Sequence, residues 1–293
     1  MKSLMEKLKQ GETLVSDGAW GTLLQNMGLQ TGESPESWNL TRPDRVRSVA
    51  QQYVDAGSDL VLTNSFGGNR FKLEQYGLSD KTADINRIAA RLSREAAKDR
   101  HVLGSIGPTG KMLIMGDVTE TELIEAFGTQ ARALTEGGAD GVCIETMSAL
   151  DEALCAIQGV RENADCTIAC TFTFERTKLG EYRTMMGVSP GEMAEAVLKA
   201  GVDIIGTNCG NGMERMVDIV RELREVDQTV PVLVHANAGM PVLQEGKTLF
   251  PESPEEMAGW VGALRDAGAG IIGGCCGTTP AHIRAIAETL RSF

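Results

Sequence analysis

No apolar run in this 293-residue chain approaches the roughly 20 residues needed to span a bilayer. Its opening stretch, MKSLMEKLKQGETL, is charged and helix-forming and lacks the uninterrupted apolar core of a secretory signal, so a cytoplasmic location is expected. Positive charge is short as well: 28 Lys and Arg stand against 40 Asp and Glu, a formal net charge of -12. A surface that acidic repels phosphate backbones and anionic lipid, which argues against nucleic-acid and membrane partners. No Pro- or Ser-rich linker, low-complexity tract or compositional break divides the sequence, so residues 1–293 are read as one domain.

What is present in unusual placement is cysteine. The seven are Cys143, Cys155, Cys166, Cys170, Cys209, Cys275 and Cys276. An odd number in a long chain without an export signal makes a disulfide framework improbable. Cys143, Cys166 and Cys170 lie in apolar runs that read as strands and Cys155 in a helical pattern, where cysteine behaves as a small hydrophobe. Cys209, and the pair Cys275–Cys276 inside GGCCGTTP, need another account.

One pattern recurs along the chain: a short apolar run ending in small or polar residues, then a helical segment. The runs are TLVSDGAWGT, SDLVLTNSFG, HVLGSIGPTG, ADGVCIETMS, CTIACTFTFE, VDIIGTNCGN, VPVLVHANAG and AGIIGGCCGT. Amphipathic stretches such as RPDRVRSVAQQYVDAG, TELIEAFGTQARALTEGG, SPGEMAEAVLKAG and SPEEMAGWVGALRDAG lie between them, several opening on a Ser or Thr cap and closing on Gly. Near-continuous apolar strands imply burial on both faces and hence a parallel sheet. Eight strand–helix units in this length fit a closed α/β (β/α)₈ TIM barrel better than an open doubly wound sheet. No Gly-x-Gly-x-x-Gly follows the first strand, and the segment before that strand is expected to cap the barrel bottom.

Active sites of such barrels gather at the C-terminal strand ends. Cys209 ends the sixth strand, and Cys275 and Cys276 end the eighth. Only one strand separates these ends, so three sulfurs can converge near one rim. Three thiolates and an open position are what a catalytic zinc site requires. Adjacent strand residues point to opposite faces, so Cys275 and Cys276 can share an ion only where the backbone leaves the strand, which Gly273, Gly274 and Gly277 permit. The spacing alone equally allows a vicinal disulfide or an incidental pair, with Cys209 a core thiol, because ligands this far apart match no short zinc motif. Histidine offers little competition: His101 sits at a strand start, His282 in the last helix, and His235 inside the seventh strand as a satisfied core or rim residue.

In this order, SDGAWGT, TNSFGGNR, IGPTG, ETMS, NCG, NAGMP and GGCCGTTP resemble the homocysteine S-methyltransferase family, most closely the homocysteine-binding module of cobalamin-dependent methionine synthase. The resemblance covers essentially the whole chain. It implies a zinc-dependent (β/α)₈ barrel whose metal ligands match Cys209, Cys275 and Cys276. It also implies acidic substrate contacts at Asp17 and Glu145, since the homocysteine ammonium needs a carboxylate. The substrate carboxylate needs N–H groups or hydroxyls, for which Gly18, Ala19, Thr63 and Ser65 are the candidates; Asn208 and Asn237 are expected to hold the metal loops. Asp17 can equally cap the helix that follows it. Trp20 departs from the family's pattern, where a smaller residue is usual, and either walls the pocket or packs beneath the rim.

The chemistry that follows from the resemblance is methylation of homocysteine to methionine. A free thiol is largely protonated near neutral pH, whereas one bound to Zn²⁺ loses its proton, and three cysteinates leave the bound sulfur electron-rich enough to attack a methyl group. No general base is needed. No B12-binding Asp-x-His-x-x-Gly is present and no second module follows Phe293, so a methyl-corrinoid is expected on a separate protein. Relatives that use S-methylmethionine often read CCR where this chain has Gly277, which favours the corrinoid; such a partner would need apolar surface near Trp20, Phe66 or Met240. The alternatives are another thiol or selenol acceptor, S-methylmethionine or a betaine as donor, and a non-catalytic homocysteine-binding subunit of a methyltransferase complex. A Schiff-base enzyme is disfavoured because the strand ends carry no lysine.

Overall fold

The computed structural model describes residues 3–244 and 247–293; Met1, Lys2, Glu245 and Gly246 lie outside the described residues. Among the described residues, eight parallel strands form the barrel sheet: β1 (Leu14–Val15), β2 (Leu60–Val61), β3 (His101–Ile106), β4 (Gly141–Met147), β5 (Thr167–Phe172), β6 (Ile204–Asn208), β7 (Val232–Ala236) and β8 (Ile271–Gly274). Their order is β1-β8-β7-β6-β5-β4-β3-β2, which is the expected (β/α)₈ sequence of neighbours. The ring closes between β1 and β2 through single contacts: the Asp59 amide donates to Val15 O at 2.7 Å, and the Leu62 amide donates to the Asp17 carboxylate at 2.7 Å.

Each strand contributes to an inner cluster, made of Leu14, Leu60, Leu103, Cys143, Ala169, Ile204, Leu233 and Ile271, which buries Leu4 and Leu8 of the first helix, Leu4–Lys9. That helix therefore plugs the barrel bottom as expected, each buried leucine contributing about 1.5–3 kcal/mol. Ser3 and Glu6 form a capping box at its start. The opposite strand faces pack outward against the helices in a larger cluster. No helix among the described residues is long and apolar enough to cross a membrane.

Helices begin where Ser or Thr and a following Glu satisfy the free amides: Thr119 and Glu122 before Glu120–Glu136, Ser189 and Glu192 before Pro190–Lys199, Ser253 and Glu256 before Pro254–Ala258. The stretch SPEEMAGWVGALRDAG is two helices rather than one, Pro254–Ala258 and Val261–Ala267, divided at Gly259–Trp260. Cys166 also departs from the strand reading. It precedes β5 and is half-buried, while Cys143 and Cys170 are fully buried in strands and Cys155 is buried in the helix Leu150–Asn163. Burial holds the Cys143 and Cys170 thiols well above their ordinary pKa, and pushes Cys155 and Cys166 up to about 11, so these four are inert packing groups.

A repeated clasp organises the bottom rim. Asp59, Asp140 and Asp203 each stand just before a strand and accept from the amide of Val15, Val102 and Ile168 on the strand next door, at 2.9, 2.8 and 2.8 Å. Each aspartate returns its own amide to that same residue's carbonyl. Arginines 100, 94 and 161 neutralise the three carboxylates.

Candidate functional site

The last strand-end residues of β6 and β8 are held from both sides of β7. The Cys209 amide donates to His235 O at 3.0 Å and the Cys275 amide to Ala236 O at 2.6 Å, while the Cys276 amide donates to Asn237 Oδ1 at 3.1 Å. One strand thus sets the spacing of two cysteine loops. The glycine-rich exit from β8 turns Cys275 and Cys276 to one side, and Cys209 takes the left-handed conformation at φ 60°. Outside glycine such backbone is uncommon and costs about 1–3 kcal/mol, a cost that persists only where the surroundings impose it.

The result is a sulfur cluster in which all three Sγ atoms lie within 4.8 Å of one another and Cys209 Sγ is 3.9 Å from Cys276 Sγ. Sulfurs about 2.3 Å from a tetrahedral zinc stand roughly 3.8 Å apart, so the cluster has the dimensions and the donor type of a zinc site. Hydrogen bonds from Cys275 and Cys276 pull the Cys209 pKa down, and the contact with Cys209 pushes those of Cys275 and Cys276 up.

Gly277 follows at φ 81°, and a Cβ on it would overlap the Phe250 side chain. The arginine of CCR-type relatives cannot be placed here without moving Phe250. Gly277→Ala is expected to cost about 2 kcal/mol or more, because left-handed backbone and overlap penalise it together. Urea unfolding reads the first effect, and weakened zinc retention against a chelator reads the displacement of Cys276.

The cysteines form one end of a cavity of about 310 Å³ at the C-terminal face. Of the candidate substrate residues, Gly18, Ala19, Thr63, Ser65 and Glu145 line it, and Asp17 does not. Asp17 is 1% exposed, and its Oδ2 accepts from Trp20 Nε1 at 2.8 Å and from the Leu62 amide at 2.7 Å. It caps no helix, because the next one begins after Ala19. Its carboxylate joins β1 to β2 and orients Trp20, whose ring walls the cavity. Burial raises the Asp17 pKa to about 6.

Glu145 is 8% exposed and lies at the far wall, where the Ser105 hydroxyl donates to its Oε1. Burial raises its pKa to about 7, opposed by the Ser105 hydrogen bond and reinforced by the charges of Asp17 and Cys209. The two hydroxyls beside it are not available as donors. Ser65 Oγ donates to Ser105 O at 2.7 Å, and Thr63 Oγ1 accepts from the Ser105 amide at 3.0 Å. The 2.5 Å contact between them must then carry the Thr63 proton. Both hydroxyls offer lone pairs to the cavity and no hydrogen, which suits a cation and not a carboxylate. The Ala19 amide is also committed, donating to Thr278 Oγ1 at 3.0 Å. Gly18 is buried so tightly that a Cβ would stand 2.6 Å from that same oxygen.

Three lining residues escaped the sequence reading. Ser105 sits within β3, and nothing in HVLGSIG marks it. Glu36 comes from the segment between β1 and β2, where its carboxylate accepts from the Ser34 hydroxyl at 2.9 Å and the Gly67 amide at 2.7 Å. Thr146 holds φ 61°, fixed by Asn208, whose Oδ1 accepts from the Thr146 amide and whose Nδ2 donates to Thr146 Oγ1, both at 2.7 Å. His235 lines the cavity with Nε2 against Ser16 Oγ at 2.8 Å, and burial lowers its pKa to about 4, so it is neutral.

Comparison with known proteins identifies the family. The family model described as "Homocysteine S-methyltransferase" matches residues 14–290. The methionine synthases of Mycobacterium leprae and Mycobacterium tuberculosis are 35% and 34% identical over 302 and 305 residues, covering 98% and 99% of this chain and 25% of each relative. The chain thus spans about a quarter of the length of these curated relatives. The metallated form of the Escherichia coli homocysteine methyltransferase MmuM superposes with a TM-score of 0.78 at 23% identity, covering 97% of this chain and 98% of that one, and shares the fold. A methyltransferase from Methanosarcina mazei follows with a TM-score of 0.64 at 13% identity, covering 99% and 97%. With a family match over nearly its whole length and a sulfur cluster at the barrel mouth, the chain belongs to the homocysteine S-methyltransferase family.

Proposed function

We propose that this protein methylates the thiol of homocysteine to give methionine, using a zinc ion held by Cys209, Cys275 and Cys276 and a methyl group carried by a protein-bound corrinoid. The observation that carries the reading is the cavity's polarity: a sulfur cluster at one end and an acceptor-only corner, Glu145 with Thr63 and Ser65, at the other. An amino acid ending in a thiol matches both ends. Its ammonium goes to Glu145 and the hydroxyl lone pairs, and the Gly18 amide faces its carboxylate. Held by the three cysteines, a zinc ion would lower the pKa of a thiol bound at its open position and leave that sulfur nucleophilic.

The protein's own residues do the rest. Glu145 fixes the amino-acid end, Trp20 closes one wall against water, and Asn237 keeps Cys276 in place. Neutral His235 adds no competing positive charge beside the sulfurs. In the displacement the sulfur lone pair forms the new S–CH₃ bond, and the donor retains the electron pair of the bond that breaks.

A protein-borne donor is supported by the mouth. Phe66 and Met240 are exposed as anticipated, and Ile114, Met115, Leu179, Met185 and Leu243 stand out from the loops after β3, β5 and β7. The test supplies zinc-loaded protein and homocysteine with methylcobalamin, S-methylmethionine, glycine betaine or methylfolate in turn. Methionine from methylcobalamin, and little from the other three, is the expected result. Methionine from S-methylmethionine or betaine alone would overturn the donor assignment, and none from any donor would overturn the activity.

A further inference from the structure

Two residues of the cavity hold left-handed backbone that only glycine adopts freely, Thr146 and Cys209, at φ 61° and 60°. They come from different strands, β4 and β6, with β5 between them. A single buried side chain joins them. Asn208 is completely buried and directly precedes Cys209, and its carboxamide grips Thr146 at both ends, through the Thr146 amide and the Thr146 hydroxyl, each at 2.7 Å. The intervening strand is tied in by the Thr171 hydroxyl, which donates to the same Oδ1 at 2.7 Å, and by the Thr173 hydroxyl, which donates to Asn208 O at 2.9 Å. Thr146 in turn directly follows Glu145.

We infer that Asn208 is a positioning residue that fixes Cys209 against Glu145, and thereby sets the span between the sulfur-binding and ammonium-binding ends of the cavity, so that the site takes homocysteine and discriminates against the one-carbon-shorter cysteine. The inference rests on the functional reading above. Its physical basis is that neither strained backbone would persist alone. A β-branched residue at φ 61° returns to the ordinary regions unless held, and Thr146 is held by both hydrogen-bonding ends of one amide. Because Asn208 is the residue before Cys209 and its partner Thr146 the residue after Glu145, relaxing the clamp frees both ends of the cavity at once. A rigid span rejects a shorter substrate, whose thiol and ammonium cannot reach both ends together; a loose one adjusts to it.

The test is calorimetric binding of homocysteine and of cysteine to the zinc-loaded protein, with zinc affinity measured separately by competition with a chromophoric chelator. Asn208→Ala is expected to weaken zinc about 10–100-fold, the usual effect of losing a residue that orients a ligand. It should also cut the homocysteine-to-cysteine affinity ratio by about 10-fold or more. Thr171→Val removes one bond of the clamp and leaves Thr146 attached, so it folds normally and moves the ratio in the same direction by less. It decides the matter if the alanine variant does not fold. A purely structural asparagine would lower Tm and leave the ratio alone, so a native ratio and native zinc affinity in both variants overturn the inference. Wild-type protein that binds neither thiol sinks the functional reading instead; the hold on Cys209 is then read from zinc affinity, where a native value in Asn208→Ala overturns it.

Discussion

Cys276→Ala is expected to reduce zinc binding from one ion per chain to a trace and to abolish methionine formation, while the barrel remains folded. The remaining two sulfurs, Cys209 and Cys275, leave two of the three protein positions of a catalytic site filled. Loss of a residue that merely orients a ligand typically costs 10–100-fold in metal affinity, so loss of a ligand itself should exceed 100-fold. Stability should barely register the change in metal-free protein. Cys276 is only half-buried, lies beyond the last β8 hydrogen bonds and reaches no core cluster, so no large cavity opens. The variants separate when zinc is added: wild-type Tm rises with zinc concentration, as any ligand that binds only the folded state requires, and that of the variant does not. Elemental analysis and the zinc dependence of Tm are the measurements. Full zinc content in the variant would remove these sulfurs from the site, whatever its activity.

The fold and the meeting of three sulfurs at the rim were legible in the sequence for a physical reason. Strands buried on both faces must be nearly all apolar, so each of the eight could be counted, and the residue at which each stops being apolar is the residue at the rim. Cysteine is rare enough that three of them among eight strand ends stand out. The far end of the cavity was less legible. Its chemistry depends on who donates to whom: Thr63 and Ser65 look like donors in TNSFG and are acceptors toward the cavity, because the Ser65 proton goes to the carbonyl of Ser105, forty residues away, and the Thr63 proton to Ser65 Oγ. Asp17 looks like a ligand in SDGAWG, and is instead the acceptor that lets β1 close on β2 and the anchor for Trp20. Glu36 was invisible because it reaches the cavity from a short 3-10 turn, Pro35–Ser37, between β1 and β2 and not from a strand end. Hydrogen-bond direction is a property of partners, and partners distant in sequence are not marked in it.

Glu145→Gln should separate stability from binding in opposite senses. In the ligand-free protein Glu145 holds its proton more tightly than an unfolded glutamate, at about 7 against 4.5, because burial and the charges of Asp17 and Cys209 disfavour its anion. A carboxyl of that kind makes the folded state lose ground as pH climbs through 4.5 to 7, and the full cost is reached above about pH 8. Glutamine cannot ionise and escapes it. The variant is therefore expected to match wild type near pH 4.5 and to be more stable at pH 8, by up to about 3 kcal/mol. Its Nε2 can donate outward while Oε1 still accepts from Ser105. Binding moves the other way. The ammonium of homocysteine supplies the missing countercharge, and leaving such a charge unpaired in a buried site costs about 3–5 kcal/mol, so affinity should fall by between roughly 10² and 10⁴. Wild-type affinity should also rise from pH 6 to pH 8 as Glu145 ionises, and the variant should lack that rise; comparing the two cancels the titration of the substrate's own thiol. Urea unfolding at both pH values, with calorimetry of homocysteine binding across the range, reads the two effects independently. A variant that binds homocysteine like wild type would place the ammonium elsewhere, and one less stable than wild type at pH 8 would mean that the Glu145 anion is already paired before substrate arrives.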